Sequence, residues 1–143
     1  MMKRADIVAS ARKWIDTPFL HQGRNENGID CVGLIQKVGD DFNILYTDLK
    51  GYARAPTDVT FLRHLRIHLS RTSITGNRIG MVGVFRQSIY PCHIGIFAND
   101  DKGRLTVINA RADRHRVVEE IYKEGPPPDF WLVELLSFPG LED

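Results

Sequence analysis

The stretch Gly28-Ile29-Asp30-Cys31-Val32-Gly33-Leu34 decides how this chain is read, because a glycine-marked loop gives way there to helical spacing. Leu34, Ile35, Val38 and Phe42 carry the apolar period onward, so a buried helix is expected from Cys31 to about Phe42. Asp30 stands at the N-cap, where a carboxylate accepts from the first unbonded N–H groups. Cys31 then lies in the first turn, facing those groups and the positive end of the helix dipole. Both favour a thiolate, the form that attacks a carbonyl carbon. A cysteine nucleophile is the expectation.

Toward the N-terminus, Ile7, Ala11, Trp14 and Ile15 share one helical face, which predicts a helix over residues 4–15. Thr17-Pro18 should end it, since the residue before proline is pushed out of the helical region. Phe19 to Ile29 reads as loop. Toward the C-terminus, Leu62, Leu65 and Leu69 predict a helix over 58–69, with Arg63, His64, Arg66 and His68 away from its stripe. After Gly80 the pattern becomes short β-branched and aromatic runs at 81–85, 93–98, 105–109, 116–121 and 131–138. Helices followed by strands predict an α+β single domain over 1–143 with an antiparallel sheet. Gly125-Pro126-Pro127-Pro128 reads as a surface connector.

Two of those strands flank Asn99-Asp100-Asp101-Lys102-Gly103, a hairpin signal. If Ala98 and Arg104 close the hairpin, His93 pairs directly with Asn109 on one sheet face. A bulge at Gly103 would shift that register by one. A histidine beside a thiol takes its proton, and an amide carbonyl fixes the ring's tautomer and orientation. Cys31, His93 and Asn109 are therefore the candidate nucleophile, base and orienter. Each also has a plainer reading: a small buried cysteine, a satisfied histidine, a strand-ending asparagine. His115 is a second choice as orienter. Strand alternation sends Cys92 to the face opposite His93.

Composition narrows the alternatives. The chain has 143 residues, 43% hydrophobic and 26% charged, with net charge +1, so neither a nucleic-acid surface nor an anionic-membrane surface is marked. No apolar run approaches the roughly 20 residues of a membrane span. Residues 1–11 lack the apolar core of a secretory signal. Two cysteines form neither a disulfide framework nor a zinc spacing, and His64 with His68 lacks a third ligand, so no metal or cofactor is expected.

Trp14-Ile15-Asp16-Thr17-Pro18-Phe19, His21-Gln22-Gly23 and Gly28 to Leu34, followed by Gly80 to Phe85, His93-Ile94-Gly95-Ile96-Phe97 and Val107-Ile108-Asn109-Ala110, resemble the NlpC-type cell-wall peptidases. The phage-tail and gene-transfer-agent branch is the nearest match. The resemblance implies a papain-like α+β fold with the cysteine helix packed on a C-terminal antiparallel sheet. It implies hydrolysis of an amide bond in peptidoglycan stem peptides, with Cys31 as nucleophile, His93 as base and Asn109 at the third polar position, where histidine is more usual. Synthesis in the cytoplasm and delivery to the wall by a tail or tail-like particle would fit. The chain departs from the family where Phe19 replaces tyrosine, Val32 replaces serine and Gly80-Met81 replaces glycine-aspartate. Without the tyrosine hydroxyl, the oxyanion falls to the Cys31 N–H together with His21 or Gln22, and Asp30 could take a substrate amine. A non-catalytic tail-tip module and an acyl transferase are the competing expectations.

Overall fold

The structure, a computed structural model, describes residues 2–44, 48–53, 60–87, 89–123 and 131–142. In chain order its elements are β1 (Met2–Lys3), α1 (Arg4–Arg12), β2 (Arg24–Asn25), β3 (Gly28–Ile29), α2 (Cys31–Asp41), α3 (Thr60–His68), β4 (Ser70–Thr72), β5 (Val82–Arg86), β6 (Pro91–Asn99), β7 (Leu105–Arg111), β8 (Arg116–Ile121), β9 (Trp131–Ser137) and β10 (Leu141–Glu142). Strands β4 to β9 make one six-stranded sheet in the order β4-β9-β5-β6-β7-β8. Every pairing in it is antiparallel. This is the expected α+β architecture, with α2 packed on the centre of the sheet at β6 and β7.

Alternation sorts the two faces of the sheet. Val82, Val84, Ile94, Ile96 and Ile108 meet Leu34, Ile35 and Val38 of α2 in the main core. The intervening positions Phe85, Phe97 and Val107 join Met81 and Leu135 in a smaller cluster on the other face. His93 and Asn109 belong to that second set by position. Among the described residues, no helix is long and apolar enough to cross a membrane.

Several boundaries differ from expectation for reasons visible in the contacts. Helix α1 stops at Arg12, not Ile15, because the following chain is drawn into pairing with β8. Asp16 N donates to the Val117 carbonyl at 2.9 Å, and Val117 N donates to Thr17 O at 2.9 Å. The expected loop at 19–29 contains the β2–β3 hairpin, and Phe19 bridges Ile29. In α3, His64 is buried with Leu62 and Leu65, which corrects its expected place on the solvated face. Residues 58 and 59 and the 125–128 connector lie outside the described residues.

The hairpin register is also a correction. Ile96 pairs Ile108 and Asn99 pairs Leu105, so the ladder is displaced by two residues from the expected 93–109 pairing. Asp100 N donates to Arg104 O at 3.0 Å and Gly103 N to Asp100 O at 3.0 Å, with Gly103 at φ +78°. That is a type I turn closed by a left-handed glycine, and it tightens the loop to three residues. Gly103→Ala is expected to cost about 1–2 kcal/mol, the left-handed penalty of an L-residue. Urea unfolding measures the cost, and unchanged β6–β7 cross-strand NOEs would show the register retained.

Candidate active site

Cys31 opens α2 because Asp30 caps it: Asp30 Oδ1 accepts from Gly33 N at 2.9 Å, and the Asp30 carbonyl accepts from Leu34 N at 3.0 Å. The same carboxylate gathers residues distant in sequence. Arg24 Nη1 donates to Oδ1 at 2.9 Å, Gln22 N donates to Oδ2 at 2.7 Å, and the Tyr52 hydroxyl donates to Oδ2. Arg24 continues to Asp48, with Nε 3.0 Å from Oδ2, and to the Tyr52 hydroxyl at 2.9 Å. With 2% exposure and both oxygens engaged inside the protein, Asp30 is a hub of the loop and does not face solvent as an amine receptor would.

The sulfur sits against β6. The amide N–H groups of Ile94 and Val32 point at it and favour the thiolate, but burial and, next, the Asp30 charge oppose them and push the thiol up to about 12. The expected thiolate is therefore corrected to a thiol. An N-terminal dipole gives an anion about 0.3–1 kcal/mol, whereas a single pKa step is worth about 1.4 kcal/mol. The dipole is outweighed.

The Ile94 N–H lies at the point where β6 and β7 part, since their ladder covers only 96–99 against 105–108. A register shift between Phe85 and Arg86 makes Cys92 the extra residue of a bulge in β6. Strict alternation fails there, and Cys92 is near enough to Cys31 for its charge to raise the Cys31 pKa.

On the far side of the parting, His93 Nε2 lies 2.7 Å from Asn109 Oδ1. The two-residue slip preserves the face, because side chains alternate with period two, so a diagonal pair replaces the expected direct one. Gly95 makes the diagonal possible: a Cβ there would lie 3.0 Å from Asn109 Cβ and 2.7 Å from Val107 Cγ2. A glycine inside a strand is a sequence signal of such an approach, one the reading of the strands above does not use. His93 is buried, and desolvation lowers its pKa despite the Asn109 contact, leaving the ring neutral near pH 7. His93 and Asn109 line a cleft of about 370 Å³ with Phe85, Arg111, Glu120 and Tyr122.

Of the remaining candidates, His21 and Gln22 stand beside the Asp30 carboxylate, with His21 Nδ1 3.9 Å from Oδ2. His21 Nε2 is 3.0 Å from the Tyr52 carbonyl, and Gln22 Nε2 donates to the same oxygen at 3.2 Å, so both side chains engage the 51–52 segment. His115 is exposed in the β7–β8 loop at φ +61°. Phe19 packs against the main core.

No family model and no curated protein matches the sequence. Solved structures do. The NlpC/p60 domain of the peptidoglycan hydrolase SagA superposes with a TM-score of 0.59 at 20% identity, over 91% of this chain and 97% of that one. The chain has the NlpC/p60 fold. An NlpC/p60 family protein from Bacillus cereus aligns with a TM-score of 0.64 at 13% identity, over 92% of this chain and 39% of that one. An N-acetylmuramoyl-L-alanine amidase from Bacteroides uniformis gives a TM-score of 0.60 at 12% identity, over 93% of this chain and 98% of that one.

Two outcomes follow from this geometry. Asp30→Ala removes a cap and leaves Gln22 N and one arm of Arg24 without their acceptor, while Asp48 still pairs the guanidinium, so a loss of about 2 kcal/mol is expected in urea unfolding. Iodoacetamide alkylation of Cys31, followed by peptide mass, should keep accelerating well beyond the usual thiol range near 8.5. Asp30→Asn should bring its onset to lower pH, because it removes the negative charge beside the sulfur.

Proposed function

We propose that this chain is a cysteine peptidase or amidase that cuts an amide bond in the stem peptides of peptidoglycan, with Cys31, His93 and Asn109 as its machinery. The observation that supports this reading lies at the β6–β7 parting, which the sulfur approaches from the helix face of the sheet and His93 from the other face. The α2 sulfur lies against the amide that follows His93, and His93 is itself hydrogen-bonded to Asn109. The NlpC/p60 fold, found in proteins named as peptidoglycan hydrolases and amidases, supports the same substrate class. The resemblance of the cysteine and histidine blocks to the phage-tail branch supports delivery by a tail or tail-like particle, with proteins of that particle as partners.

Because thiol and imidazole are both neutral at rest, the proton moves as the sulfur attacks. His93 accepts it while the C–S bond forms, and the carbonyl oxygen gains the negative charge. The Cys31 backbone N–H, one of the first-turn groups without a partner inside the helix, is the nearest oxyanion donor. The imidazolium then protonates the leaving amine as the C–N bond breaks, leaving a thioester. Water, deprotonated by His93, attacks the thioester and releases the acid and the Cys31 thiol.

A second reading has specific support. The raised thiol pKa, the entry of the sulfur from the helix side of β6 and the closed Asp30 hub all suit a structural module that keeps the fold without the reaction. Digestion of purified peptidoglycan with the wild type and Cys31→Ala, read by mass spectrometry, separates the two. New amine and carboxyl termini with the wild type alone are expected, and their absence would favour the structural module. Where cleavage occurs, its rate should fall only below the usual histidine range near 6.5, since His93 charges at lower pH than a free imidazole.

A further inference from the structure

We propose that Glu120 is a positioning residue that dictates the tautomer of His93 through Asn109, leaving Nδ1 as the proton-accepting nitrogen. The inference starts from the acceptors around one amide. Asn109 Nδ2 lies 2.9 Å from Glu120 Oε2, 3.4 Å from the Val107 carbonyl and 3.5 Å from the Val118 carbonyl. All three are acceptors, so the group among them must be the NH2 and the carbonyl oxygen must point the other way. Oδ1 therefore faces His93 Nε2 at 2.7 Å. An oxygen without a proton can only accept, which places the hydrogen of the neutral ring on Nε2 and the lone pair on Nδ1.

Glu120 is held in that role. Arg111 Nη1 donates to its two oxygens at 3.0 and 3.1 Å, while Arg111 Nη2 and Nε reach Asp113 at 2.7 and 2.9 Å. The guanidinium is thus anchored between two carboxylates and keeps Glu120 an acceptor-only partner for Asn109. The geometry requires β8 beside β7, with Asn109 paired to Val118 and Val107 to Glu120, so that Glu120 sits one same-face step from Asn109. Asparagine alone cannot specify the tautomer, because a flipped amide would offer its NH2 to the ring and select the opposite one. The carboxylate removes that freedom.

The catalytic meaning of the tautomer rests on the proposed hydrolysis, but the tautomer itself does not, and the test keeps them apart. Long-range proton–nitrogen correlation spectra of the nitrogen-15-labelled wild type, at about pH 8 where a histidine is neutral, should show His93 with a protonated Nε2 and a pyridine-like Nδ1. Glu120→Gln presents either amide end to Asn109, so it should shift His93 toward the Nδ1-protonated pattern. It should also lower kcat on peptidoglycan fragments by roughly 10–100-fold, as outer partners of an oriented imidazole do, with KM little changed. Glu120→Asp should restore part of both readouts. An Nδ1-protonated wild type would overturn the proposal, as would a Glu120→Gln spectrum unchanged at His93. Should Glu120→Gln lose its folded spectrum, Arg111→Gln, which loosens the carboxylate, must show an intermediate shift or the proposal fails. A wild type with the stated tautomer and no hydrolysis would sink the enzyme reading and leave the tautomer assignment standing.

Discussion

The carboxylate of Asp30 is the constraint on which the candidate site depends. A buried charge is tolerable only when it is paired and hydrogen-bonded. This one is met by Gly33 N, Gln22 N, Arg24 and the Tyr52 hydroxyl. Those bonds tie the loop before α2, the start of α2 and the 48–53 segment to one point. The position of Cys31 follows, since it is the next residue and the first of the helix. The same charge disfavours a second negative charge beside it. Placement of the sulfur and part of the suppression of its ionisation thus come from one interaction, with burial supplying the larger part of the suppression.

That coupling bears on the chemistry. A pre-formed thiolate–imidazolium pair would need attraction exceeding the desolvation of both groups, and two observations oppose it. Burial and Asp30 raise the thiol, while burial lowers His93. A neutral pair fits general-base attack, in which the imidazole must already present a lone pair. The question of which ring nitrogen holds the proton then becomes decisive, and it leads outward along β7 and β8, from Asn109 to Glu120 and Arg111.

Much of this was legible in the residue order. The α2 start, the Asp30 cap and the succession of strands after Gly80 all follow from local chemistry: capping, period and turn residues. The His93–Asn109 contact forms in a register two residues from the expected one, because the tight turn at Gly103 closes on Asp100 and Arg104 instead of spanning from Ala98. Parity rescued the contact, since an even slip keeps the face and an odd one loses it. The β2–β3 hairpin leaves no signal in the sequence because strands of two residues carry no period. The Arg24, Tyr52 and Glu120 partnerships are set by tertiary approach and leave no spacing signal. Thiol ionisation is not legible in the sequence, because the dipole is local and visible there, whereas the burial that overrides it is not.

The fold likeness at 12–20% identity is understandable on the same physical terms. A core such as that of α2 on β6 needs apolar volume in the right pattern, and many residue combinations supply it. The site asks for much less freedom at far fewer positions. It needs an acceptor before the helix, a bulge that breaks alternation ahead of His93, and no side chain at Gly95. It also needs an even register between β6 and β7. Three of these are backbone conditions, which a sequence can meet while changing nearly everything around them. The fourth, the acceptor, is a single carboxylate whose partners come from wherever the chain can bring them. The candidate site of this molecule is held from behind by a further layer of polar residues, Arg24 and Tyr52 behind Asp30 and Glu120 and Arg111 behind Asn109.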